Sequence, residues 1–184
     1  SRVGRGWVVS ETHFAVWILS ATAGRPVAGL FGQTNRVTML PFAPDGTLLA
    51  SASHDQTARL WRIPSGAASG IPIRHSKSVV RVVFSPNAER LATVEYSSDG
   101  SLFDERTRCS IRTWETMNGR EVGVPIPTLA GVRGLSFDAT TGRRLLWGDY
   151  EPWLNVFDAE THLPLYPHLT FQRSLFQCMA FRPD

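Results

Sequence analysis

The sequence predicts an all-β fold made of repeated four-stranded units, on two observations. Aromatic residues recur with a period of about 45 residues. The aromatic that ends the first strand of each unit falls at Phe42, Phe84, Phe137 and Phe181, and the one that closes each unit falls at Trp17, Trp61, Trp114 and Phe157. Short apolar stretches also alternate with turn residues roughly every ten residues, and none has the spacing of an amphipathic helix. This combination is typical of a β-propeller, whose blades are four-stranded antiparallel sheets.

The stretch FAPDGTLLASASHDQTARLW shows how one blade is built. Pro44-Asp45-Gly46 predicts a tight turn after strand a, and His54-Asp55-Gln56 predicts the turn between strands b and c. Strands a to d of this blade are expected at residues 36–42, 48–53, 57–63 and 71–74. The same pattern predicts strands at 79–84, 91–96, 110–114 and 122–126, and then at 132–137, 144–147, 154–157 and 165–169.

The repeat divides the chain into consecutive blades within a single propeller region. We expect a partial blade 1 without strand a at residues 1–31, blade 2 at 32–75, blade 3 at 76–127, blade 4 at 128–170, and the first strand of a further blade at 171–184. Blade 3 carries an insertion at 97–108, SSDGSLFDERTR, whose polar composition predicts an exposed loop. Since such repeats usually close a ring of more blades, we expect a fragment or partial arc of a larger propeller, with open strand edges.

Composition narrows the classes of function. A net charge of +3, with 19% of residues charged and the charges scattered, is too small to indicate a nucleic-acid partner. No apolar run has the length of about eighteen residues that a membrane span needs. Cys109 and Cys178 lack metal or redox spacing, which suits a reducing, cytoplasmic location. The chain shows no nucleophile set, phosphate-binding glycine loop or metal-ligand cluster, so we expect no cofactor, no metal and no enzymatic activity.

These residues resemble the WD-repeat (Trp-Asp repeat) β-propeller family over nearly the whole chain. The most specific stretch is FAPDGTLLASASHDQTARLW. The segments GRPVAGLF, SGIPIRH and GREVGVPIP, with VVRVVFSPN, further resemble the WD repeats of bacterial multidomain signalling proteins. The resemblance implies a WD-repeat propeller, or a partial propeller arc, of four-stranded antiparallel blades without catalytic activity.

The resemblance also implies a buried hydrogen-bond network in each blade. It links a His before strand a, a Ser on strand b, an Asp in the b–c turn and the Trp of strand c. The residues that match are Ser53, Asp55 and Trp61 in blade 2, and His75 and Trp114 in blade 3. Gln33 replaces the His in blade 2, and Arg108 falls at the Asp position of blade 3. We therefore expect the blade that contains Asp55 to be the most stable.

The expected function is that of a scaffold whose loops bind a protein or peptide partner. The candidate contacts lie in d–a loops and b–c turns, and they are Arg36, His54, Gln56, Lys77, Arg133, Tyr150 and Trp153. Tyr150 and Trp153 are the strongest pair, because exposed aromatics are frequent hot spots. Two alternatives stay open. The chain could be a structural arc that completes a larger propeller or self-associates through its edges, as the sensor or interaction region of a bacterial signalling protein. It could also be an enzymatic propeller, which would need convergent carboxylates or a cofactor.

Overall fold

The computed structural model describes residues 15–96, 109–128, 131–148, 153–167 and 169–170, and the backbone of 6–10. Every regular element in these ranges is a β-strand. The strands form one three-stranded and three four-stranded antiparallel sheets. The predicted all-β fold of four-stranded antiparallel blades is confirmed, and it is consistent with a partial WD-repeat propeller. These ranges contain no helix long and apolar enough to cross a membrane.

Each sheet is a meander in which consecutive strands are neighbours. Blade 1 contains β1 (Gly6–Ser10), β2 (Val16–Ser20) and β3 (Pro26–Leu30). Blade 2 contains β4 (Val37–Met39), β5 (Leu48–Ser53), β6 (Thr57–Arg62) and β7 (Ile73–Arg74). Blade 3 contains β8 (Ser78–Phe84), β9 (Arg90–Tyr96), β10 (Cys109–Glu115) and β11 (Glu121–Thr128). Blade 4 contains β12 (Gly134–Phe137), β13 (Arg144–Gly148), β14 (Trp153–Asp158) and β15 (Leu169–Thr170).

Several strands are shorter than their sequence pattern predicts, and two of the shortened segments contain a proline that interrupts pairing, namely strand a of blade 2 and strand d of blade 4. Strand a of blade 2 was expected over 36–42, but β4 ends at Met39, because Pro41 has no N–H to continue the ladder. Phe42 then makes only an isolated bridge to strand b. Strand d of blade 4 was expected over 165–169, but the structure has an isolated bridge at Pro164 and the two-residue β15. The expected strand at the end of the chain lies outside the described residues.

The hydrophobic core is divided among the boundaries between blades. One cluster joins Val16, Ile18 and Leu30 of blade 1 to Val37, Leu49 and Trp61 of blade 2. A second joins Ala50, Leu60 and Ile73 of blade 2 to Val79, Val82, Leu91 and Trp114 of blade 3. A third joins Val94, Ile111 and Ile126 of blade 3 to Leu135, Phe137, Leu145 and Trp147 of blade 4. Buried apolar side chains therefore join each described blade to the next, as in other repeat proteins.

The c–d hairpin is the most regular turn of the fold. In all four blades the N–H at its last position donates to the carbonyl four residues earlier, and these donors are Gly24, Gly66, Gly119 and His162. All four have positive φ, and His162 (φ 58°) is the exception that is not glycine. Its ring packs on blade 3, where Nε2 lies 2.8 Å from Thr113 Oγ1 and Nδ1–H donates to the Val124 carbonyl. Gly123 makes room for it, because a Cβ there would lie 2.8 Å from His162 Nδ1.

The a strands of adjacent blades meet along one edge of the sheets. Strand β8 of blade 3 contacts both β4 of blade 2 and β12 of blade 4. We call this edge the inner edge. The inner rim is the set of d–a loops and b–c turns at the beginning of these strands, around residues 33–36, 54–56, 75–77 and 131–133.

Candidate protein-binding rim

Asp55 fastens the b–c turn of blade 2 to the d–a loop before it. Its Oδ2 accepts a hydrogen bond of 2.9 Å from the backbone N–H of Thr34 in that loop. Its Oδ1 accepts from the backbone N–H of Thr57 at 2.9 Å and from the Thr57 hydroxyl at 2.6 Å. The carboxylate therefore joins the b–c turn to a loop about twenty residues earlier in the chain.

Trp61 bonds a different serine from the one the sequence suggested. Its indole N–H donates to Ser51 Oγ at 2.9 Å, so Ser53 as the partner of Trp61 was wrong. Trp61 stands opposite Leu49, which makes Ser51 its diagonal neighbour and leaves Ser53 about 7 Å further along the strand. Ser53 instead donates to the Asn35 carbonyl at 3.0 Å and accepts from the Asp55 N–H at 3.1 Å. It thus belongs to the rim.

Blade 3 builds its network around a carboxylate that the sequence pattern did not reveal. Trp114 donates its indole N–H to Thr93 Oγ1 at 2.8 Å, and its ring meets the His75 ring edge-on at 5.1 Å. His75 Nδ1–H donates to Glu95 Oε2 at 3.2 Å. Arg108, which was expected to break the network, lies outside the described residues. Within the described residues, Glu95 of strand b is therefore the acid that His75 bonds.

Arg112 completes this network from strand c. Its Nε–H donates to Glu95 Oε1 at 3.2 Å, and its Nη1 donates to Glu121 Oε1 at 2.9 Å. Glu95 is only 2% exposed, and its two carboxylate oxygens accept hydrogen bonds from His75 and Arg112 inside the blade. Burial lowers the pKa of His75 to about 4, because desolvation of the imidazolium outweighs the attraction of Glu95. His75 is therefore neutral near neutral pH.

The rim side chains of blade 2 rest on blade 3. His54 is half-buried, and its ring meets the ring of Tyr96 edge-on at 5.9 Å. Ser78 Oγ donates to the His54 carbonyl at 3.4 Å. Arg36 is exposed, and its carbonyl accepts the His54 N–H at 2.9 Å. Partial burial, and then the charge of Arg36, lower the pKa of His54.

The other candidate residues occupy different surroundings. Gln56 is exposed in the left-handed region (φ 67°), and its carbonyl accepts the His75 N–H at 2.9 Å. Lys77 and Arg133 are half-buried and immediately precede β8 and β12. Trp153 is half-buried at the start of β14, opposite Thr170. Tyr150 lies outside the described residues, so the pairing of Tyr150 with Trp153 stays a prediction.

Sequence reasoning missed two side chains that make polar contacts in this region, Arg81 and Glu95. Both are charged residues inside otherwise apolar strands, a signal that was available in VVRVVF and LATVEY. Arg81 Nε–H donates to the Val132 carbonyl at 3.0 Å, which joins strand a of blade 3 to the d–a loop of blade 4. Across the described ranges, no three His, Cys, Asp or Glu side chains come together in a way that could hold a metal ion.

Comparison with known proteins supports the WD-repeat family. A family model described as "WD domain, G-beta repeat" matches residues 24–62. U3 small nucleolar RNA-associated protein 21 of Saccharomyces cerevisiae is 36% identical over 87 residues, which is 47% of this chain and 9% of that protein. A Periodic tryptophan protein 2 homolog of Neurospora crassa is 34% identical over 83 residues, or 45% of this chain and 9% of that protein. The chain thus spans about a tenth of the length of these relatives.

A solved structure extends the likeness to the whole chain. The computationally designed Ika8 protein superposes with a TM-score of 0.75 at 17% identity, over 100% of this chain and 52% of that one. At this identity the match concerns the fold alone. The named natural relatives are eukaryotic proteins, so the more specific resemblance to bacterial signalling proteins stays a prediction.

Proposed function

We propose that this chain is a non-catalytic platform that binds a protein or peptide partner at its inner rim. One observation carries the proposal, namely the set of hydrogen bonds that fastens the b–c turn of blade 2 to the neighbouring loop through Asp55 and Ser53. These bonds hold the backbone of Arg36 and Gln56 while both side chains remain exposed. A rigid backbone with exposed polar side chains lowers the entropic cost of binding.

The names of the relatives bear on the choice of partner. One is RNA-associated by name, and another, of Chaetomium thermophilum, is named Ribosome assembly protein 4. A role in assembling a larger complex suits a platform that binds proteins. Because these names include RNA, the expectation that nucleic acid is not a partner remains open to experiment.

Affinity capture with the full chain tests the platform. Partners that bind the wild-type chain are identified, and the best candidate is then purified and titrated against wild type and two variants. The rim variant is Arg36→Ala with Gln56→Gly, since glycine accepts the positive φ of residue 56. The control is Met117→Ala, which lies in the c–d hairpin of blade 3 and is 95% exposed.

Loss of binding by at least about tenfold in the rim variant alone is the expected result. Equal binding by all three proteins would place the partner elsewhere and contradict the proposal. Sedimentation of the chain without a partner addresses the structural-arc alternative, which predicts concentration-dependent oligomers formed through open strand edges.

A further inference from the structure

We infer that the interior of blade 2 binds a small carboxylate anion, of the class of formate and acetate, between the side chains of Gln33 and Arg59. We call this place the blade 2 carboxylate site. The inference goes beyond the proposed function, because it concerns two buried donor atoms and not the exposed side chains of the rim.

Two buried nitrogen atoms of blade 2 lack an acceptor. Among the residues the structure describes, Gln33 Nε2 and Arg59 Nε have no hydrogen-bond partner, and Gln33 is only 9% exposed. A buried donor without an acceptor costs free energy, and a buried charge without a counter-charge costs more. Since both atoms are donors and one of them is cationic, the group that suits them is an anionic acceptor.

Blade 3 shows which anion fits between such donors. His75 and Arg112 occupy the positions that Gln33 and Arg59 occupy in blade 2. His75 Nδ1 and Arg112 Nε each lie 3.2 Å from an oxygen of the Glu95 carboxylate. A carboxylate has two oxygens, so it can accept from both donors at once.

The strand register shows where blade 2 has lost this group. Arg59 stands opposite Ser51, just as Arg112 stands opposite Thr93. Ser53 follows two positions later on the same face, and this is the position from which blade 3 supplies its carboxylate. The Ser53 hydroxyl bonds the rim backbone instead. The two donors of blade 2 therefore keep their places while their acceptor is missing.

The second carboxylate that holds the arginine of blade 3 is missing from blade 2 as well. Arg112 Nη1 donates to Glu121 at 2.9 Å, and Glu121 stands opposite Trp114. The residue opposite Trp61 in blade 2 is Ala68. Blade 2 therefore keeps the arginine but has neither of the carboxylates that neutralise its counterpart.

The exchange of glutamate for serine sets the size of the ligand. Beyond Cβ, serine carries only a hydroxyl oxygen, whereas glutamate carries a methylene and a carboxylate. Formate supplies the atoms of that carboxylate, and acetate adds one methyl group in place of the methylene. A small monocarboxylate is therefore the ligand class that restores the blade 3 arrangement.

The surroundings of Arg59 favour a free anion over the side chain of a partner. Both donor atoms are buried, which excludes a bulky ligand. Arg59 is nevertheless only half-buried, and a Cβ built at the exposed Gly32 would lie 2.6 Å from Arg59 Nη1. The guanidinium therefore borders an exposed loop, from which a small anion can enter.

Thermal unfolding of the full chain in different sodium salts tests the inference. Melting temperatures are measured at about pH 7.5 in about 50 mM formate, acetate or chloride, with acetamide as the uncharged analogue of acetate. The site variant is R59Q. The matched control is R62Q, which removes the same charge from an exposed arginine of the same strand. Saturation-transfer NMR of the acetate methyl protons reports binding directly.

A second pair of variants adds a carboxylate instead of removing the cation. A68E places a carboxylate at the position that corresponds to Glu121 of blade 3. The matched control is A67E, at the adjacent exposed position, whose side chain is directed to the other face. This pair decides the test if R59Q does not fold.

We expect formate and acetate to raise the melting temperature of wild type by about 2–4 °C above its value in chloride, which corresponds to a dissociation constant of about 10 mM. R59Q and A68E should lose at least about fivefold in affinity, and R62Q and A67E less than about twofold. Equal losses in A68E and A67E would reduce the effect to net charge and overturn the inference.

Three other results would also overturn it. Equal stabilisation by chloride or acetamide would contradict a carboxylate ligand. A rise in melting temperature that persists in R59Q would place the anion elsewhere. Acetate binding by Glu11→Gln but not by wild type would identify Glu11, which lies outside the described residues, as the missing acceptor. No effect of either carboxylate on any of these proteins would mean that the donors bind water alone, and the site would be rejected.

Discussion

Blades 2 and 3 have the same strand pattern but differ in how the side chains at three equivalent interior positions are hydrogen-bonded. In blade 3 these positions hold His75, Glu95 and Arg112, and both His75 and Arg112 bond Glu95. In blade 2 they hold Gln33, Ser53 and Arg59, and Gln33 Nε2 and Arg59 Nε are buried without a hydrogen bond within the described protein.

The difference follows from one residue on strand b. Glu95 accepts from both neighbours, whereas Ser53 is too short to reach them and bonds the rim backbone instead. At the three matching positions of blade 3, the one buried atom without a hydrogen bond within the described protein is His75 Nε2. At the same position of strand b, Glu95 of blade 3 therefore bonds side chains inside the blade, whereas Ser53 of blade 2 bonds the backbone of the rim.

Removing the buried carboxylate of Glu95 should have the largest effect on the free energy of unfolding. Glu95→Ala removes the buried acceptor of His75 Nδ1–H and of Arg112 Nε–H, while Arg112 keeps its bond to Glu121, and should cost about 3 kcal/mol of unfolding free energy. The matched change in blade 2, Ser53→Ala, should cost about 1 kcal/mol. Urea unfolding of both variants measures the difference, and equal shifts of the two midpoints would contradict the comparison.

Removing the Asp55 carboxylate should have the next largest effect on the free energy of unfolding, because Asp55 joins two loops. Asp55→Ala removes acceptors for Thr34 and Thr57 and should cost about 2 kcal/mol. The control is Asp45→Ala, since Asp45 bonds the backbone and hydroxyl of Thr47 in the same manner, but within the described residues its carboxylate makes no hydrogen bond to a second loop. We expect about 0.5 kcal/mol there. Similar urea midpoints for both variants would show that the bond to Thr34 adds nothing.

The free energy of unfolding should depend on pH through His75 of the blade 3 network, whereas blade 2 has the non-titrating Gln33 at the matching position. The pKa of His75 is about 4 in the folded protein and 6.5 in the unfolded chain. Between these values the unfolded chain takes up a proton that the folded protein excludes, so stability falls as pH drops from about 6.5 to about 4. His75→Gln copies the residue at Gln33 of blade 2 and removes this dependence.

Urea midpoints at about pH 7.5 and about pH 5 provide the measurement, and wild type should lose on the order of 1–2 kcal/mol more than His75→Gln. The remaining ionisable groups are common to both proteins, so their contributions cancel. A variant with the same pH slope as wild type would show that His75 does not cause the loss.

The insertion of blade 3 should have the smallest effect. Deletion of residues 98–105 removes polar residues outside the repeat, and a shorter loop changes closure entropy little. We expect an unchanged far-UV spectrum and a melting temperature within a few degrees of wild type. A large fall in melting temperature would mean that this segment packs on the blade.

Much of the fold could be predicted because the repeat encodes it locally. Strand b of blade 2 was expected over 48–53 and is observed as Leu48–Ser53. The alternation of apolar residues with Gly and Pro turns specifies such strands directly. Strand ends near Pro41 were less predictable, since they depend on which backbone groups can still pair.

The polar networks could not be predicted from the repeat alone. Ser51 and Ser53 are equivalent in sequence terms, and only the register opposite Trp61 selects Ser51. Glu95 does not match the family pattern, and its role depends on Arg112 across the sheet. Such pairings are set by three-dimensional neighbours, which one sequence does not show.

A pair of double-mutant cycles tests the difference between the blades most directly. One cycle combines Glu95→Ala with Arg112→Ala, and the other combines Ser53→Ala with Arg59→Ala at the matching positions of blade 2. Urea unfolding gives the coupling free energy of each pair. The closed network predicts a coupling of about 2 kcal/mol in blade 3 and less than about 0.5 kcal/mol in blade 2. Equal couplings, or a larger one in blade 2, would contradict the account.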